Sequence, residues 1–101
     1  NLAVALLNDF FGLQVRGGCM CAGPYGHDLL GIDDTVSHAI RRELLQGHCG
    51  LKPGWVRVSF SPVSREEEFQ ALLEGVRFVA REGHRHQDDY RLDDATGEWR
   101  R

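Results

Sequence analysis

The segment from Arg16 to His27 constrains this chain more than any other. It contains four glycines and two of the chain's three cysteines, and it follows a short strand pattern at Leu13–Arg16. Glycine adopts backbone conformations that other residues avoid, and loops held by rigid elements often carry function. We therefore predict a functional loop over residues 17–27. A tight turn with two buried thiols is the alternative.

Composition limits the class of protein. The chain has 101 residues with 42% apolar and 27% charged residues, as expected for one globular domain. Its net charge of -3 gives no excess of positive charge of the kind that binds nucleic acid. No apolar run approaches the ~18 residues that a membrane helix needs, and the first residues lack the basic region of a signal peptide. The odd cysteine count favours reduced thiols and a cytoplasmic location, with an organelle left open.

Hydrophobic spacing predicts three main helices. The first covers residues 2–11 and ends at Gly12, and the second covers 34–46 with Asp33 or Asp34 as its cap. The third begins at Ser64, where Ser64 and Glu67 form a capping box, and it continues to Glu82. Residues 28–31 read as a single turn.

Two segments alternate apolar and polar residues and are predicted to be strands. They are Leu13–Arg16 and Trp55–Phe60. Each buries an aliphatic face, so each places an arginine on the opposite face. Arg16 and Arg57 could therefore meet on one side of a sheet, although two separate solvated arginines would fit the pattern equally well.

The end of the chain has a different character. Residues 83–89 read as a polar linker, in which His84 and His86 are expected to be solvated. Residues 90–92 and 98–100 flank a turn with Gly97 at a position of positive φ, which predicts a hairpin.

The predicted architecture is α+β, with helices covering one face of a short sheet. Two main strands are few for independent stability, and the chain enters a helix pattern at once without a methionine. We therefore expect a piece of a longer protein.

The central loop and the second strand carry a family resemblance. The matching residues are Arg16, Gly18, Cys21, Ala22 and Pro24 in the loop, and Arg57, Ser59 and Phe60 in the strand. This pattern resembles the Arg-x-Gly-x-x-Cys-Ala-x-Pro loop and the later Arg-Ala-Ser-Phe-like strand of class V aminotransferase-fold enzymes, especially the cysteine desulfurase and selenocysteine lyase group. The resemblance implies the small C-terminal domain of a fold-type I pyridoxal 5'-phosphate (PLP) dependent transferase over residues 1–82, followed by a linker and hairpin at 83–101.

The resemblance also implies a role for each matched side chain. Cys21 would be the catalytic nucleophile, whose thiolate accepts sulfur from L-cysteine or a related amino acid and leaves alanine. Arg57 would bind the substrate carboxylate, and Arg16 would support that pocket. Cys19 stands where close desulfurases carry histidine, so it either resolves a persulfide or is simply a buried cysteine. His27 is a possible accessory residue.

The cofactor and the partners follow from the same resemblance. PLP is implied for the whole enzyme, together with a large PLP-binding domain of the same chain and a homodimer, but no nucleic acid or membrane partner. The sole lysine, Lys52, lies in a Lys-Pro-Gly loop that does not match the Schiff-base site. This chain alone is therefore expected to be inactive.

Two other functions remain open. One is a stand-alone interaction or regulatory domain derived from such an enzyme, with Trp55 on an exposed sheet face. The other is a zinc module that draws ligands from three cysteines and two histidines: Cys19, Cys21, Cys49, His27 and His48. Its Cys-x-Cys spacing matches structural zinc sites less well than Cys-x2–4-Cys. Outside that module, Cys49 is expected to be structural.

Overall fold

The structure is a computed structural model that describes residues 1–18 and 23–101. Within these ranges the chain forms four α-helices, two short 3₁₀ helices and one two-stranded antiparallel sheet. The α-helices are α1 (Leu2–Phe11), α2 (Gly23–Leu30), α3 (Asp34–Leu45) and α4 (Glu66–Glu82), and the strands are β1 (Arg91–Asp93) and β2 (Glu98–Arg100). The predicted α+β class is confirmed.

Helices α1 and α4 form the main packed pair, and a glycine allows their close approach. Gly75 is buried in the middle of α4. A Cβ at this position would lie 2.7 Å from Cδ1 of Leu13 and 3.3 Å from side-chain atoms of Leu7 and Phe11. Such distances are too short for a methyl group, so only glycine fits between the helices without a shift of its neighbours.

The apolar core of the described residues is small. Leu6, Leu7 and Tyr90 are its buried hydrophobic side chains, at 1%, 2% and 5% exposure. The apolar residues of α4 recur at helical spacing, which predicts a core face, but Leu72 and Val79 are only half-buried and Val76 is 39% exposed. Aromatic rings extend the α1–α4 contact toward solvent, where Phe10 and Phe11 pack on Phe78 with ring centroids 5.4 and 5.3 Å apart. The buried core side chains Leu6 and Leu7 are thus on α1, which packs against α4.

Helix α2 corrects the prediction of a loop through residue 27 and a single turn at 28–31. The helix begins at Gly23 and places Pro24 in its first turn. Proline is tolerated there because the first N–H groups of a helix have no intrahelical acceptor. Gly31 has φ +62° directly after the helix, the left-handed conformation that commonly ends helices. The glycine and proline residues read as loop signals thus mark the two ends of a helix.

The ends of the other helices agree closely with the sequence. Gly12 follows α1 with φ +64°, and the Asp33 carboxylate caps α3 by accepting a hydrogen bond from the N–H of Val36 at 2.8 Å. Helix α4 begins later than predicted, with Arg65 as the residue before it. Glu68, instead of Glu67, reaches back and accepts from the Arg65 N–H at 3.0 Å. The predicted Ser64 cap is therefore wrong.

The predicted pair of strands is reduced to a short bridge. Residues 13–16 and 55–60 approach one another antiparallel, but they pair as one isolated bridge, Arg16 with Arg57. Glycines at 17, 18 and 54 and the proline at 53 flank the paired residues and weaken regular strand structure. The expectation of helices over one face of a sheet built from these strands is therefore not met in the described part of the chain.

The C-terminal hairpin is confirmed. β1 and β2 pair with Leu92 opposite Trp99, and Gly97 has φ +72° in the turn. Residues Gly83–Asp89, predicted as a polar linker, form a 3₁₀ helix that continues from α4. Within this helix His86 stacks on Phe10, with ring centroids 4.8 Å apart, and is not simply solvated. The proposed division of the chain at residues 82 and 83 stays a prediction.

Candidate functional site

The backbones of Arg16 and Arg57 bind each other directly. The N–H of Arg57 donates to the carbonyl of Arg16 at 2.7 Å, and the N–H of Arg16 donates to the carbonyl of Arg57 at 3.2 Å. Two residues that exchange both hydrogen bonds form the hydrogen-bonded type of antiparallel pair, in which the side chains stand on the same face. The predicted meeting of the two arginines on one face is therefore confirmed.

The charges of this arginine pair are not neutralised within the described residues. Both side chains are exposed, and neither forms an ion pair with a carboxylate in residues 1–18 or 23–101. Like charges directly opposite one another across a strand pair destabilise it. An anion bound between the guanidinium groups would relieve this repulsion, and the planar fork of arginine suits a carboxylate.

Two glycines hold the arginine pair against α1. A Cβ at Gly17 would lie 2.5 Å from Cγ2 of Val4 and 3.0 Å from Oδ1 of Asn1, so this strand approaches the helix more closely than any side chain would permit. Gly18 has φ +99°, and its carbonyl accepts a hydrogen bond from the N–H of Trp55 at 3.2 Å. The chain is thus fixed from Arg16 to Gly18.

The two cysteines predicted for the site lie outside the described residues. Cys19 and Cys21 belong to residues 19–22, between Gly18 and the first residue of α2. The nucleophile assigned to Cys21 and the accessory role of Cys19 therefore stay predictions. Of the predicted loop at residues 17–27, the structure describes the two ends, residues 17–18 and 23–27.

His27 joins α2 to α3. Its Nδ1 lies 3.2 Å from the carbonyl oxygen of Gly23, and its Nε2 lies 2.9 Å from the hydroxyl of Ser37. A carbonyl can only accept, so Nδ1 carries the proton in this arrangement, and in the neutral ring Nε2 accepts from the Ser37 hydroxyl. Both ring nitrogens are occupied by helix contacts. The geometry therefore favours a structural role for His27 over the possible accessory role in the site.

Sequence reasoning missed a contact between His48 and Asp94. Nδ1 of His48 lies 2.5 Å from the Asp94 carboxylate and Nε2 lies 3.9 Å from that of Glu43. The hydrogen bond to Asp94 raises the pKa of His48 above its ordinary value. The Asp94 carbonyl also accepts from the N–H of Gly50 at 3.1 Å. These groups fasten the hairpin turn to the loop at 47–52, and no local sequence signal marks partners so far apart.

A cavity of about 350 Å³ lies beside this contact. The walls include Gly18, Cys49, Lys52 and the two tryptophans, Trp55 and Trp99. Cys49 is an exposed free cysteine, and its predicted structural role stays a prediction. Gly18 is the last described residue before Cys19, so Cys49 lies near the beginning of the predicted loop.

Neither a PLP site nor a metal centre forms among the described residues. Lys52, the sole lysine of the chain, is exposed in a loop, and neither Arg16 nor Arg57 lines the two cavities described here that Lys52 lines. The expectation that Lys52 is not the Schiff-base lysine stays a prediction. Across residues 1–18 and 23–101, no three histidine, cysteine or acidic side chains are placed to hold a metal ion.

Comparison with protein-family models, with curated proteins and with solved structures finds no match to this chain. The class V aminotransferase resemblance therefore stays a prediction from the motif residues. In the part of the chain that the structure describes, no helix has the length and apolarity needed to cross a bilayer.

Proposed function

We propose that this chain is the C-terminal portion of a PLP-dependent cysteine desulfurase-like enzyme of the class V aminotransferase type. In this proposal Arg57 binds the carboxylate of L-cysteine or a related amino acid, and Arg16 supports it. The enzyme would be a homodimer, and its location would be cytoplasmic. The observation that carries the proposal is the backbone pairing of Arg16 with Arg57, which presents two guanidinium groups on one exposed face.

The proposed role of the arginine pair is to bind and orient the substrate. A guanidinium group donates two parallel hydrogen bonds to a carboxylate, which fixes the direction of an amino acid as well as its position. The second arginine adds positive charge within the reach of one small anion. Because the two backbones are hydrogen-bonded to each other, the main chains of Arg16 and Arg57 cannot separate without breaking the bridge.

The proposed role of Cys21 is to accept the sulfur atom. Its thiol gains one sulfur and becomes a persulfide, while L-cysteine leaves as L-alanine, so the overall exchange balances without an oxidant or a reductant. The attacking form is the thiolate. PLP would act as an electron sink during this exchange. Since Lys52, the sole lysine of the chain, does not match the Schiff-base site of the family, the cofactor would be held by residues outside this chain, and the chain alone would have no activity.

The test uses the protein expressed from its complete gene and purified with PLP. Alanine released from L-cysteine would be measured for the unaltered enzyme, Cys21→Ala and Cys19→Ala. We expect alanine from the unaltered enzyme and from Cys19→Ala, with loss of alanine release in Cys21→Ala. Bound PLP without alanine from any version would indicate a different class V reaction, and absence of PLP binding would overturn the family proposal.

A second pair of variants tests the arginine site separately. Arg57→Lys keeps the charge but loses the two-pronged hydrogen bond, so KM for L-cysteine should rise by roughly tenfold or more, the range expected for a lost charge-assisted hydrogen bond. Arg91→Lys is the matched control, because Arg91 is an exposed arginine on β1, away from the pair. Equal KM values for the two variants would remove Arg57 from the substrate site.

A specific observation favours the alternative of an interaction or regulatory domain. Many large apolar side chains are exposed in the described residues, among them Tyr25, Leu45, Phe60 and Val63, at 64%, 79%, 64% and 90% exposure. Exposed apolar side chains mark contacts with other protein where they form a contiguous patch. Both proposals need such contacts, and alanine release by the complete protein separates them. The zinc alternative has no support from the described residues, because the ring nitrogens of His27 and Nδ1 of His48 are already hydrogen-bonded.

A further inference from the structure

The hydrogen bonds that join α2 to α3 also form a serine–histidine pair. Within the described residues, Ser37 carries the one serine or threonine hydroxyl that bonds a histidine ring, at 2.9 Å from Nε2 of His27. Nδ1 of the same ring lies 3.2 Å from the carbonyl oxygen of Gly23. A carbonyl only accepts, so the neutral ring keeps its proton on Nδ1 and leaves the lone pair of Nε2 for the Ser37 hydroxyl. We call Ser37 and His27 the dyad.

The geometry of the dyad is the one that activates a hydroxyl as a nucleophile. A serine hydroxyl is weakly nucleophilic on its own, and it becomes reactive when a base at about 2.6–3.2 Å can take its proton while a third group orients that base. The 2.9 Å contact with His27 meets the first condition, and the Gly23 carbonyl is the third group. The proton of the Ser37 hydroxyl is thus directed at a base that is already held in place.

The dyad borders two cavities. Both of its side chains are half-buried, and they are the residues shared by the linings of cavities of about 410 and 200 Å³. The smaller cavity is lined in part by Ile40, Leu44 and Pro53. Its apolar lining and its volume, below the ~300 Å³ at which typical ligand pockets begin, suit a short hydrocarbon chain. A small molecule in either cavity would therefore lie next to the dyad.

Two cations complete the lining of the smaller cavity. Arg41 and Lys52 line it together with the dyad, and neither forms an ion pair with a carboxylate in residues 1–18 or 23–101. Attack on an ester carbonyl places negative charge on its oxygen, and cationic side chains beside the reacting carbon stabilise that charge. The cavity thus combines a nucleophile, a base and unopposed positive charge.

We propose that Ser37 and His27 hydrolyse esters of short apolar carboxylic acids. The Ser37 oxygen attacks the ester carbonyl carbon while its proton passes to Nε2 of His27, and that proton leaves with the departing alcohol as the C–O bond breaks. Water then attacks the acyl group on Ser37 through the same base, which releases the acid and restores the hydroxyl. One ester and one water become one acid and one alcohol, without an oxidant or a reductant. The dyad uses neither Cys21 nor the arginine pair, so this reaction is independent of the proposed desulfurase reaction.

The first experiment labels the unaltered protein, expressed from its complete gene. A fluorophosphonate probe bonds its phosphorus to an activated serine oxygen and loses fluoride, and mass spectrometry of the peptides locates the labelled residue. We expect the label on Ser37 and not on Ser61, an exposed serine that serves as the control within the same molecule. Labelling of Ser37 that does not exceed that of Ser61 overturns the proposal.

The second experiment measures hydrolysis in variants. Release of 4-nitrophenol from 4-nitrophenyl acetate should fall roughly hundredfold or more in Ser37→Ala and in His27→Gln, the low end of the effect of a general base. Ser61→Ala and His84→Gln are the matched controls, because both side chains are exposed, and they should leave the rate unchanged. Hydrolysis that survives Ser37→Ala and is lost in Cys21→Ala would come from a thiol and would overturn the proposal. If a dyad variant fails to fold, the labelling of the unaltered protein still decides the question.

Discussion

The hydroxyl of Tyr90 donates a hydrogen bond of 2.8 Å to the carboxylate of Asp9, and these residues are 81 positions apart. Tyr90 immediately precedes β1, while Asp9 is on α1, so this bond ties the end of the chain to its first helix. The bond is the largest cause of a lowered pKa of Asp9, whereas burial is the main cause of a raised pKa of Tyr90.

Removing this hydroxyl should destabilise the fold. Tyr90→Phe keeps the buried ring but loses the bond to the Asp9 carboxylate, and we expect the free energy of unfolding in urea to fall. Tyr25→Phe is the matched control, since Tyr25 is 64% exposed. Equal stability of the two variants would contradict a contribution from the Tyr90–Asp9 bond.

The same bond predicts a dependence on acid pH. The pKa of Asp9 is lowered in the folded state, so its contribution is present above the unfolded pKa of the group and is lost as pH falls through the folded pKa. The stability difference between the unaltered protein and Asp9→Asn should therefore shrink on acidification. The measurement is the urea midpoint of both proteins from pH 7 down to pH 3. A difference that stays constant over this range would show that Asp9 does not titrate with folding.

The contact between His48 and Asp94 predicts the opposite trend. The pKa of His48 is raised by its hydrogen bond to Asp94, so the stabilisation is complete below the unfolded pKa of about 6.5 and is lost as pH rises through the folded value. NMR titration of the His48 ring should give a midpoint above 6.5, and Asp94→Asn should bring it down. Asp88→Asn, at another exposed aspartate, should leave the midpoint unchanged. A His48 titration midpoint that stays unchanged in Asp94→Asn would refute this assignment.

Gly75 provides a test of helix packing. Alanine is the better helix former by about 1 kcal/mol, yet Gly75→Ala should lower the free energy of unfolding by about 1–3 kcal/mol, because the new methyl group would overlap Leu13. Leu13→Ala shortens the side chain that the new methyl group would overlap. In a protein that already carries Leu13→Ala, Gly75→Ala should therefore lower the free energy of unfolding by less, so the two effects should not add. If Gly75→Ala stabilises the protein, the close approach of α1 and α4 is not required.

The hairpin turn offers a comparison between two glycines of similar φ. Gly97 and Gly12 have φ of 72° and 64°. A Cβ at Gly97 would lie 3.2 Å from the carbonyl oxygen of Cys49, whereas Gly12 has open space around it. Both alanine variants should lose about 1 kcal/mol or more from the left-handed backbone. Thermal unfolding should show the larger loss of stability for Gly97→Ala. Equal losses would mean that the close contact between the turn and the Cys49 carbonyl adds no cost.

Sequence reasoning succeeded where the signal is local. Helix α1 with its glycine stop, the Asp33 cap and the hairpin all follow from a few neighbouring residues. It failed at α2, because Gly23 and Pro24 were read as loop signals although proline also begins helices. It placed the arginine pair correctly from strand alternation alone.

Contacts between distant segments could not be predicted in the same way. The His48–Asp94 contact and the Tyr90–Asp9 bond depend on how the hairpin docks, and no local pattern encodes that. The closeness of α1 and α4 at Gly75 is likewise a property of two helices together. The chemistry proposed for Cys21 rests on motif resemblance, because that residue lies outside the described ranges.

The hairpin is fastened at its turn and, at the open end of β1, by the Tyr90–Asp9 bond. The Asp94 carbonyl and side chain bond the loop at 47–52, and the amide of Asn1 donates to the Gly97 carbonyl at 2.8 Å. Isolated hairpins of this size are marginal in water and normally lose their free ends first. Local opening of the hairpin should therefore start at Arg100 on β2 and proceed toward the turn, so that the amide protons at the tip exchange with solvent later than that of Arg100.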